Sequence, residues 1–456
     1  MTEGIAVAER AGTSGELAWR LAPVAVALGS LAVGVVALGH RALTVDEAAS
    51  AAVAQGSFGT LASRIVHDDP GSAGQLLLLK LSGTIGDSEL VLRLPSAIAV
   101  ALAAGLVVVL GTLLLERIAG LVAGLALAIN AGVIEASREA RPYALGLLGI
   151  VLATLLFVYA LERGGGWRWI PYAVVAAVLP LTHPLAASVL AAHGAALIAL
   201  RERPDLRRAG IALVGGTVVA GAILIWMAVD RFDAPDGAGT FDLARLGRGL
   251  VHPVGANPVL VMAAAAGLYA LFAGVHGKRP GRWRGVLVAA LIGAPVVALL
   301  VAALAMPVFA GALVLCAPGL ALAAGAAAPL LAPTRGLVWA GVALLVVSAG
   351  VTTADRLREP PDKDWRALAA ALERVRGDSE TVVVVPARAR AVIAYYAPAL
   401  PLIGHVRGSG GWVAVVADTP DGAIAAARPV VTTPRYALLR QFAYGDGLRL
   451  QHWVRP

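Results

Sequence analysis

Long apolar runs recur along this chain and limit what it can fold into more than any other feature. Hydrophobic residues make up 59% of the sequence and charged residues 14%, whereas soluble domains are about half apolar and about a quarter charged. The candidate spans are 21–39, 94–115, 118–134, 143–161, 169–183, 184–200, 209–229, 258–275, 285–305, 308–331 and 336–351. Since about 20 apolar residues cross a bilayer as a helix, the sequence predicts an all-α polytopic membrane protein with about eleven transmembrane helices.

Basic residues between the spans indicate the orientation. They fall on alternate loops, at Arg117, Arg163, Arg168, 201–208, Lys278 to Arg284 and Arg335. Because basic loops stay on the cytoplasmic side, we expect a cytoplasmic N-terminus and an extracytoplasmic C-terminus in the plasma (inner) membrane. The net charge of +8 belongs to this pattern. The sequence shows no basic face interleaved with aromatic residues, so we expect no nucleic-acid binding.

Composition divides the chain into three parts. Residues 1–20 form a polar cytoplasmic leader, and 21–351 form the transmembrane module, in which 40–80 is the first extracytoplasmic loop. Residues 352–456 are far less apolar and form a small extracytoplasmic α/β domain. We therefore expect chemistry outside the membrane as well as helices within it.

Short patterns predict further elements outside the spans. In the first loop, 44–55 and 58–66 have the spacing of helices that lie along the membrane interface. In the C-terminal domain the residue types predict, in order, helix 364–376, strand 381–385, helix 387–396, strand 411–417 and strand 448–454.

An acidic pair, Asp46 and Glu47, follows the first span directly. Two carboxylates at the lipid–water boundary suit a general base and its partner. Their position also suits the first turn of an interfacial helix, with Thr44 or Asp46 as the N-cap. The residue pattern by itself favours the capping interpretation.

Two arginines, Arg138 and Arg141, lie on the side of the membrane where basic residues are not expected. The rigid fork of a guanidinium matches the oxygens of a phosphate, so a lipid phosphate is one partner. Salt bridges to Glu135 or Glu139 are the alternative, and the pattern leaves both open.

Three further groups are weaker candidates. His67, Asp68 and Asp69 form a candidate divalent-cation site, although adjacent side chains seldom all face one ion. Arg93, at the head of a span, is also explained by a side chain extended to the interface. His183, at a helix end before a proline, is also explained by packing or capping.

The order of these motifs resembles a known family. The acidic pair is followed by His67-Asp68-Asp69-Pro70, by Gly86-Asp87-Ser88-Glu89-Leu90-Val91-Leu92-Arg93-Leu94-Pro95-Ser96, by Arg138 to Leu145 and by Leu181-Thr182-His183. This series resembles the polyprenyl-phosphate-sugar glycosyltransferases of the GT-C fold. Within that fold it is similar to family 39, the protein O-mannosyltransferases with their bacterial members, and to the related lipid A aminoarabinose transferases. The resemblance covers 20–200, and the stretch from Asp364-Trp365-Arg366 to Tyr395-Tyr396 is also similar to the tail of bacterial members.

The resemblance implies a GT-C-like catalytic module and an inverting transfer of a sugar, with mannose favoured, from a polyprenyl monophosphate to an acceptor hydroxyl. It implies Asp46 as the single carboxylate base, with Glu47 orienting the loop or the acceptor. Arg141, with Arg138, would bind the donor phosphate. The candidate substrate-binding residues are Arg93, His183, Tyr143 and Asp69. One carboxylate base suffices, because a phosphate leaves as a stable anion, and the resemblance assigns no metal ligand.

One departure from the family pattern bears on specificity. Family members commonly have a His-Pro-Pro-Leu-Tyr-like run, whereas this chain has two acids at Asp68 and Asp69 and Gln75 at the end of the run. Acceptor choice and metal dependence therefore stay open, as does the oligomeric state. A transporter or flippase of lipid-linked sugars would share the arginines, and a noncatalytic scaffold would act through the C-terminal domain. A pentose such as arabinose is the main alternative to mannose.

Overall fold

Helices account for most of the chain in the computed structural model. The structure describes residues 2–36, 38–201, 206–229, 257–273, 281–303, 310–331, part of 336–354, and 363–456 apart from 378–379, 408–409, 418, 432–435 and 446. Three of the basic loops used for orientation lie wholly or partly outside these residues, at 202–205, at 274–280 and at Arg335. The candidate span 336–351 lies only partly among them.

Fourteen described helices precede the C-terminal region, and most consist of small and branched apolar residues. They are α1 (Thr2–Val35), α2 (Val45–Gln55), α3 (Phe58–Ser63), α4 (Ala73–Ser82), α5 (Glu89–Leu114), α6 (Arg117–Ala128), α7 (Ala131–Ser137), α8 (Tyr143–Arg163), α9 (Trp169–Thr182), α10 (Val189–Ala199), α11 (Leu206–Val229), α12 (Pro258–Ala273), α13 (Arg282–Ala303) and α14 (Ala317–Ala326).

Six described helical segments are long and apolar enough to cross a membrane, and α6 with α7, bent by 61°, makes a seventh if counted as one span. The chain is thus a multi-pass membrane protein, as the sequence predicts. The count is lower than eleven because several apolar stretches form shorter helices. For example, α9 has 14 residues and ends at Thr182, because the next residue, His183, precedes Pro184 and adopts the extended backbone that a residue before proline favours.

The chain forms two compact units, each made of three stretches. The helical unit comprises Met1–Val36, Ser63–Gln75 and Arg93–Asp355. The mixed unit comprises Ala37–Ala62, Leu76–Leu92 and Arg356–Pro456. The mixed unit therefore contains most of the first loop as well as the C-terminal region.

Small residues allow close helix packing in the helical unit. A β-carbon on Gly267 of α12 would lie 1.7 Å from the Ala323 carbonyl oxygen of α14. A β-carbon on Gly325 of α14 would lie 2.3 Å from the Ala119 carbonyl oxygen of α6. Membrane helices have little hydrophobic drive to associate in lipid, so this close backbone approach supplies van der Waals contact.

A buried polar cluster links three helices of the same unit. The Tyr172 hydroxyl of α9 lies 3.0 Å from His193 Nδ1 of α10, and His193 Nε2 lies 3.2 Å from Thr154 Oγ1 of α8. The Phe157 ring stacks on the His193 ring, with 4.4 Å between their centroids. Both ring nitrogens of His193 are therefore hydrogen-bonded, which makes the cluster a link between helices.

The C-terminal region of the mixed unit is an α/β structure. Its sheet has the order β2-β1-β3-β5-β4, in which β1 is parallel to β2 and β3, and β5 is antiparallel to β3 and β4. The strands and helices are α15 (Trp365–Val375), β1 (Thr381–Val385), α16 (Arg390–Tyr396), β2 (Leu402–Ile403), β3 (Gly410–Val416), α17 (Pro420–Ala427), β4 (Ala437–Ala443) and β5 (Leu448–Val454).

The sequence patterns predict the framework of this region correctly. They give α15, β1, α16, β3 and β5 within a few residues, and they miss β2, β4 and α17. The central strand β3 is almost entirely buried, with Val413 and Val415 fully enclosed, which explains its continuous apolar run. The edge strand β4 is mostly exposed, so its residues carry no comparable signal.

Candidate functional site

The acidic pair occupies the first turn of α2. Thr44 is the N-cap, with extended backbone angles, and its Oγ1 accepts a hydrogen bond from the Glu47 N–H at 3.3 Å. Glu47 Oε2 in turn accepts from the Thr44 N–H at 2.9 Å, which completes a capping box. The sequence Thr-x-x-Glu encodes this arrangement directly.

The two carboxylates differ in environment. Glu47 is only 1% exposed, and its carboxylate bonds to the backbone of the cap. Asp46 is exposed at a helix N-terminus, where the helix dipole stabilises a negative charge. Of the two, Asp46 is the carboxylate that solvent can reach and that a proton donor can approach.

Arg138 lies at the end of a short, well-capped helix in the helical unit. Asn130 Oδ1 accepts from the Gly132 and Val133 N–H groups, at 2.9 and 3.2 Å, and so begins α7. Arg138 follows its last residue, and its Nη2 donates to the Val33 carbonyl of α1 at 3.0 Å. Part of the guanidinium is therefore used to anchor this segment to α1.

Arg141, Tyr143 and His183 form a row of contacting groups. The Arg141 guanidinium carbon lies 5.1 Å from the centre of the Tyr143 ring, within the range of a cation–π contact. The Tyr143 ring centre lies 5.2 Å from that of His183. Three residues that the sequence proposes separately are thus placed side by side.

His183 has a defined tautomer and a defined packing partner. Its Nδ1 accepts a hydrogen bond from the Leu185 N–H at 3.1 Å, so the proton of the neutral ring resides on Nε2. A β-carbon on Gly146 of α8 would lie 2.8 Å from the His183 β-carbon. His183 therefore caps the following turn through Nδ1, and its Nε2–H is the ring group that can donate a hydrogen bond.

The acidic run after α3 contacts the same region. His67 and Asp68 are exposed and Asp69 is half-buried. Asp68 pairs with Arg64 at 3.2 Å. A β-carbon on Gly71 would lie 2.7 Å from Pro184 Cγ, so the segment after Asp69 packs against the turn that follows His183.

No group of three or more His, Cys, Asp or Glu side chains suited to a metal ion occurs among the described residues. A divalent cation at His67, Asp68 and Asp69 stays a prediction from the sequence.

Two further polar residues of the helical unit are buried. Arg93 is 3% exposed, so its guanidinium is enclosed by protein and is not extended to the surface. Gln75 is 2% exposed, and its Nε2 has no hydrogen-bond partner within the described part of the chain. A buried amide donor of this kind is a group that a bound ligand could satisfy. The sequence marks Gln75 only as a departure from the family pattern.

The predicted site residues therefore fall in two groups. The helical unit contains Arg93, Arg138, Arg141, Tyr143, His183 and Asp69. Within this group, Tyr143 contacts both Arg141 and His183. The mixed unit contains Asp46 and Glu47. Sequence reasoning assigns no role to Glu89, Arg366 and Tyr396, which form a hydrogen-bonded group in the mixed unit. The sequence points to these three residues only because all of them lie within the motifs that carry the family resemblance.

Comparison with known proteins identifies the fold. Residues 74–226 match the family described as dolichyl-phosphate-mannose-protein mannosyltransferase. That segment is a third of the chain and includes Arg93, Arg141, Tyr143 and His183. No curated protein matches the chain.

Several solved structures are similar over most of their length. ArnT from Cupriavidus metallidurans in the apo state is 16% identical, with a TM-score of 0.58, over 96% of this chain and 98% of that one. The same protein bound to undecaprenyl phosphate is 14% identical, with a TM-score of 0.57, over 95% and 98%. The Archaeoglobus fulgidus oligosaccharyltransferase in the apo form is 13% identical, with a TM-score of 0.53, over 82% and 64%.

Proposed function

We propose that this multi-pass membrane protein, whose fold is the GT-C fold of ArnT and the oligosaccharyltransferases, is a glycosyltransferase that uses a polyprenyl-phosphate-linked sugar. The single observation that carries the proposal is the extent of the structural likeness, which covers 96% of this chain and 98% of ArnT. A structure of ArnT contains undecaprenyl phosphate, and the family matched by 74–226 is described as using dolichyl-phosphate-mannose. Both support a lipid monophosphate donor, and the family description favours mannose as the sugar.

The helical unit supplies the phosphate-binding part of the mechanism. Arg141 holds the donor phosphate, and its stacking on Tyr143 orients the guanidinium fork that phosphate oxygens match. His183, with its proton on Nε2, adds a neutral donor next to that row. Arg138 supports this side through its bond to the Val33 carbonyl. These cationic and hydrogen-bond donors stabilise the negative charge that grows on the leaving phosphate.

Asp46 supplies the base. The acceptor hydroxyl attacks the anomeric carbon, the bond from that carbon to the phosphate oxygen breaks, and the hydroxyl proton passes to the Asp46 carboxylate. Configuration inverts because the attack comes from the face opposite the phosphate. A phosphate monoester is a stable anion, so no acid is needed for its departure. Transfer takes place on the extracytoplasmic side of the inner membrane, and the acceptor is a hydroxyl of a glycan, glycolipid or protein.

Native mass spectrometry of the purified protein in detergent tests this proposal. We expect the wild type to retain a polyprenyl-phosphate sugar and Arg141→Ala to lose it. Arg163→Ala is the matched control, because Arg163 makes the same kind of contact, 5.8 Å from the Tyr159 ring, outside the proposed site. Asp46→Asn should retain the lipid and transfer no sugar. If wild type and Arg141→Ala retain the lipid equally, the phosphate site is assigned wrongly.

A further inference from the structure

A tyrosine of the C-terminal region is hydrogen-bonded to the backbone just before the acidic pair. The Tyr396 hydroxyl, at the end of α16, accepts a hydrogen bond from the Leu43 N–H at 2.7 Å. Leu43 is 1% exposed and directly precedes Thr44, the N-cap of α2. The bond therefore holds the backbone immediately before the N-cap of α2, the helix that carries Asp46.

The same tyrosine is held from the other side by a buried carboxylate. Its hydroxyl donates to Glu89 Oε1, while Arg366 of α15 donates to Glu89 Oε2. Glu89 is 9% exposed, and a buried carboxylate is stable when it is paired and hydrogen-bonded in this way. Burial raises the pKa of the Tyr396 phenol, and the bond to Glu89 raises it further, so the hydroxyl stays a donor toward Glu89.

Two more contacts join the same elements to residues just before and just after the first loop. Arg366 Nη2 donates to the Gly39 carbonyl at 3.1 Å, and the Tyr395 hydroxyl donates to the Asp87 carbonyl at 2.5 Å. Asp364 caps the helix of Arg366, with its Oδ1 accepting from the Ala367 N–H at 2.9 Å. The Asp-Trp-Arg and Tyr-Tyr motifs of the tail thus bind residues on both sides of the acidic pair along the chain, at Gly39 and Leu43 before it and at Asp87 and Glu89 after it.

We propose that Tyr396 is a positioning residue, which Glu89 and Arg366 hold in place so that it fixes the N-terminal turn of α2 and with it the Asp46 carboxylate. The role of Asp46 as base rests on the proposed function, whereas the positioning of its turn does not. The C-terminal region then contributes to catalysis by fixing the position of the Asp46 carboxylate.

Hydrogen–deuterium exchange of the full-length protein in detergent tests the positioning without any substrate. In Tyr396→Phe we expect exchange in the peptide spanning Leu43–Glu47 to rise about tenfold, the size expected for the loss of one partly buried hydrogen bond. Tyr395→Phe is the matched control, because it removes the neighbouring hydroxyl and its bond to Asp87 but keeps the bond to Leu43. Exchange there should stay within about twofold of wild type.

Either of two results would overturn the positioning role: unchanged exchange in Tyr396→Phe, or an equal rise in Tyr395→Phe. Should Tyr396→Phe not purify as a folded protein, Glu89→Gln replaces it. That variant weakens the acceptor that holds the Tyr396 hydroxyl, so exchange in the same peptide should rise, and an unchanged rate would again contradict the proposal.

Kinetics then separate positioning from general stability. With a polyprenyl-phosphate sugar as donor, Tyr396→Phe should lower kcat about tenfold while the donor KM stays within about twofold. In an Asp46→Asn background the same change should add little, since residues that act as a unit are not additive. Equal losses in kcat and donor affinity would indicate a merely structural role. If wild type transfers no sugar at all, the proposed function fails, and the exchange experiment still decides the positioning.

Discussion

Gly146 and His183 approach so closely that a β-carbon on the glycine would lie 2.8 Å from the β-carbon of the histidine. The atom in the way is not the end of a flexible chain, so a side chain at Gly146 must displace the His183 backbone or α8. Such a displacement would change the contact between the His183 and Tyr143 rings, whose centres lie 5.2 Å apart.

Gly146→Ala is therefore expected to lower sugar transfer by about tenfold or more, because a small displacement of binding groups is costly to catalysis. Turnover with a polyprenyl-phosphate sugar is the measurement. Gly221→Ala in α11 is the control, since a β-carbon there would meet nothing within 4 Å. Wild-type activity in Gly146→Ala would show that the position of His183 does not matter.

Glu47 tests whether the second carboxylate is structural. Glu47→Gln keeps an acceptor for the Thr44 N–H, and glutamine also completes a capping box, so we expect near-normal folding and transfer. Glu47→Ala should cost about 1 kcal/mol of stability and lower transfer through a loosened α2. Thermal unfolding and turnover are compared for the two variants. Loss of transfer in a stable Glu47→Gln protein would instead indicate that the Glu47 carboxylate takes part directly in the reaction.

The buried cluster of the helical unit is expected to contribute to stability and not to transfer. Tyr172→Phe removes the hydroxyl that bonds His193 Nδ1 and leaves that nitrogen buried without this partner. A cost of about 1 kcal/mol is typical of such bonds between membrane helices. The melting temperature in detergent should fall, while kcat of the folded protein should stay unchanged. Tyr269→Phe, at a site 68% exposed, should have no effect on either.

Acid should weaken the C-terminal region through Glu380. Burial alone would raise the pKa of this carboxyl, but hydrogen bonds from the Gly377 N–H, Trp412 and His452 hold it below its ordinary value of 4.5. A carboxyl with a lowered pKa in the folded state stabilises the fold above its ordinary pKa. That contribution disappears as pH falls through the lowered value.

We therefore expect the melting temperature of the wild type to fall as the pH drops below 4.5, and Glu380→Gln to show a flatter profile. The wild type should also be the more stable protein near neutral pH. Glu373→Gln, at an exposed position on α15, should follow the wild-type curve. Parallel curves for wild type and Glu380→Gln would contradict this assignment.

The sequence predicts those parts of the fold that depend on local patterns. Long runs of apolar residues mark the membrane helices, and a short run of β-branched apolar residues marks the buried strand β1, because burial determines which residue types occur along a segment. The capping box of Thr44 and Glu47 is equally local. The breaks that shorten the apolar helices, such as the 61° bend between α6 and α7, depend on tertiary packing and are harder to predict.

The candidate site shows the same division. Arg141 and His183 are recognisable from residue type and motif order. Their contacts with Tyr143, which lies between them, form only when two helices pack together. The bond of Tyr396 to Leu43 is invisible in the sequence, since nothing local relates a tyrosine in the tail to a backbone N–H in the first loop. The edge strand β4 is missed because exposed strand residues are not selected for burial.

The Leu43–Tyr396 hydrogen bond joins residues 353 positions apart, and this distance sets an order of events during synthesis. Leu43 leaves the ribosome about 20 to 70 s before Tyr396 at ordinary rates of chain elongation. In the interval the helices between them are made and inserted, and the entry to α2 has no tyrosine to hold it. A chain cut short between Arg141 and α16 keeps its acidic pair, Arg138 and Arg141 but lacks the contact that orders the turn. The newly made protein therefore completes this turn only when its C-terminal region has been made and has folded.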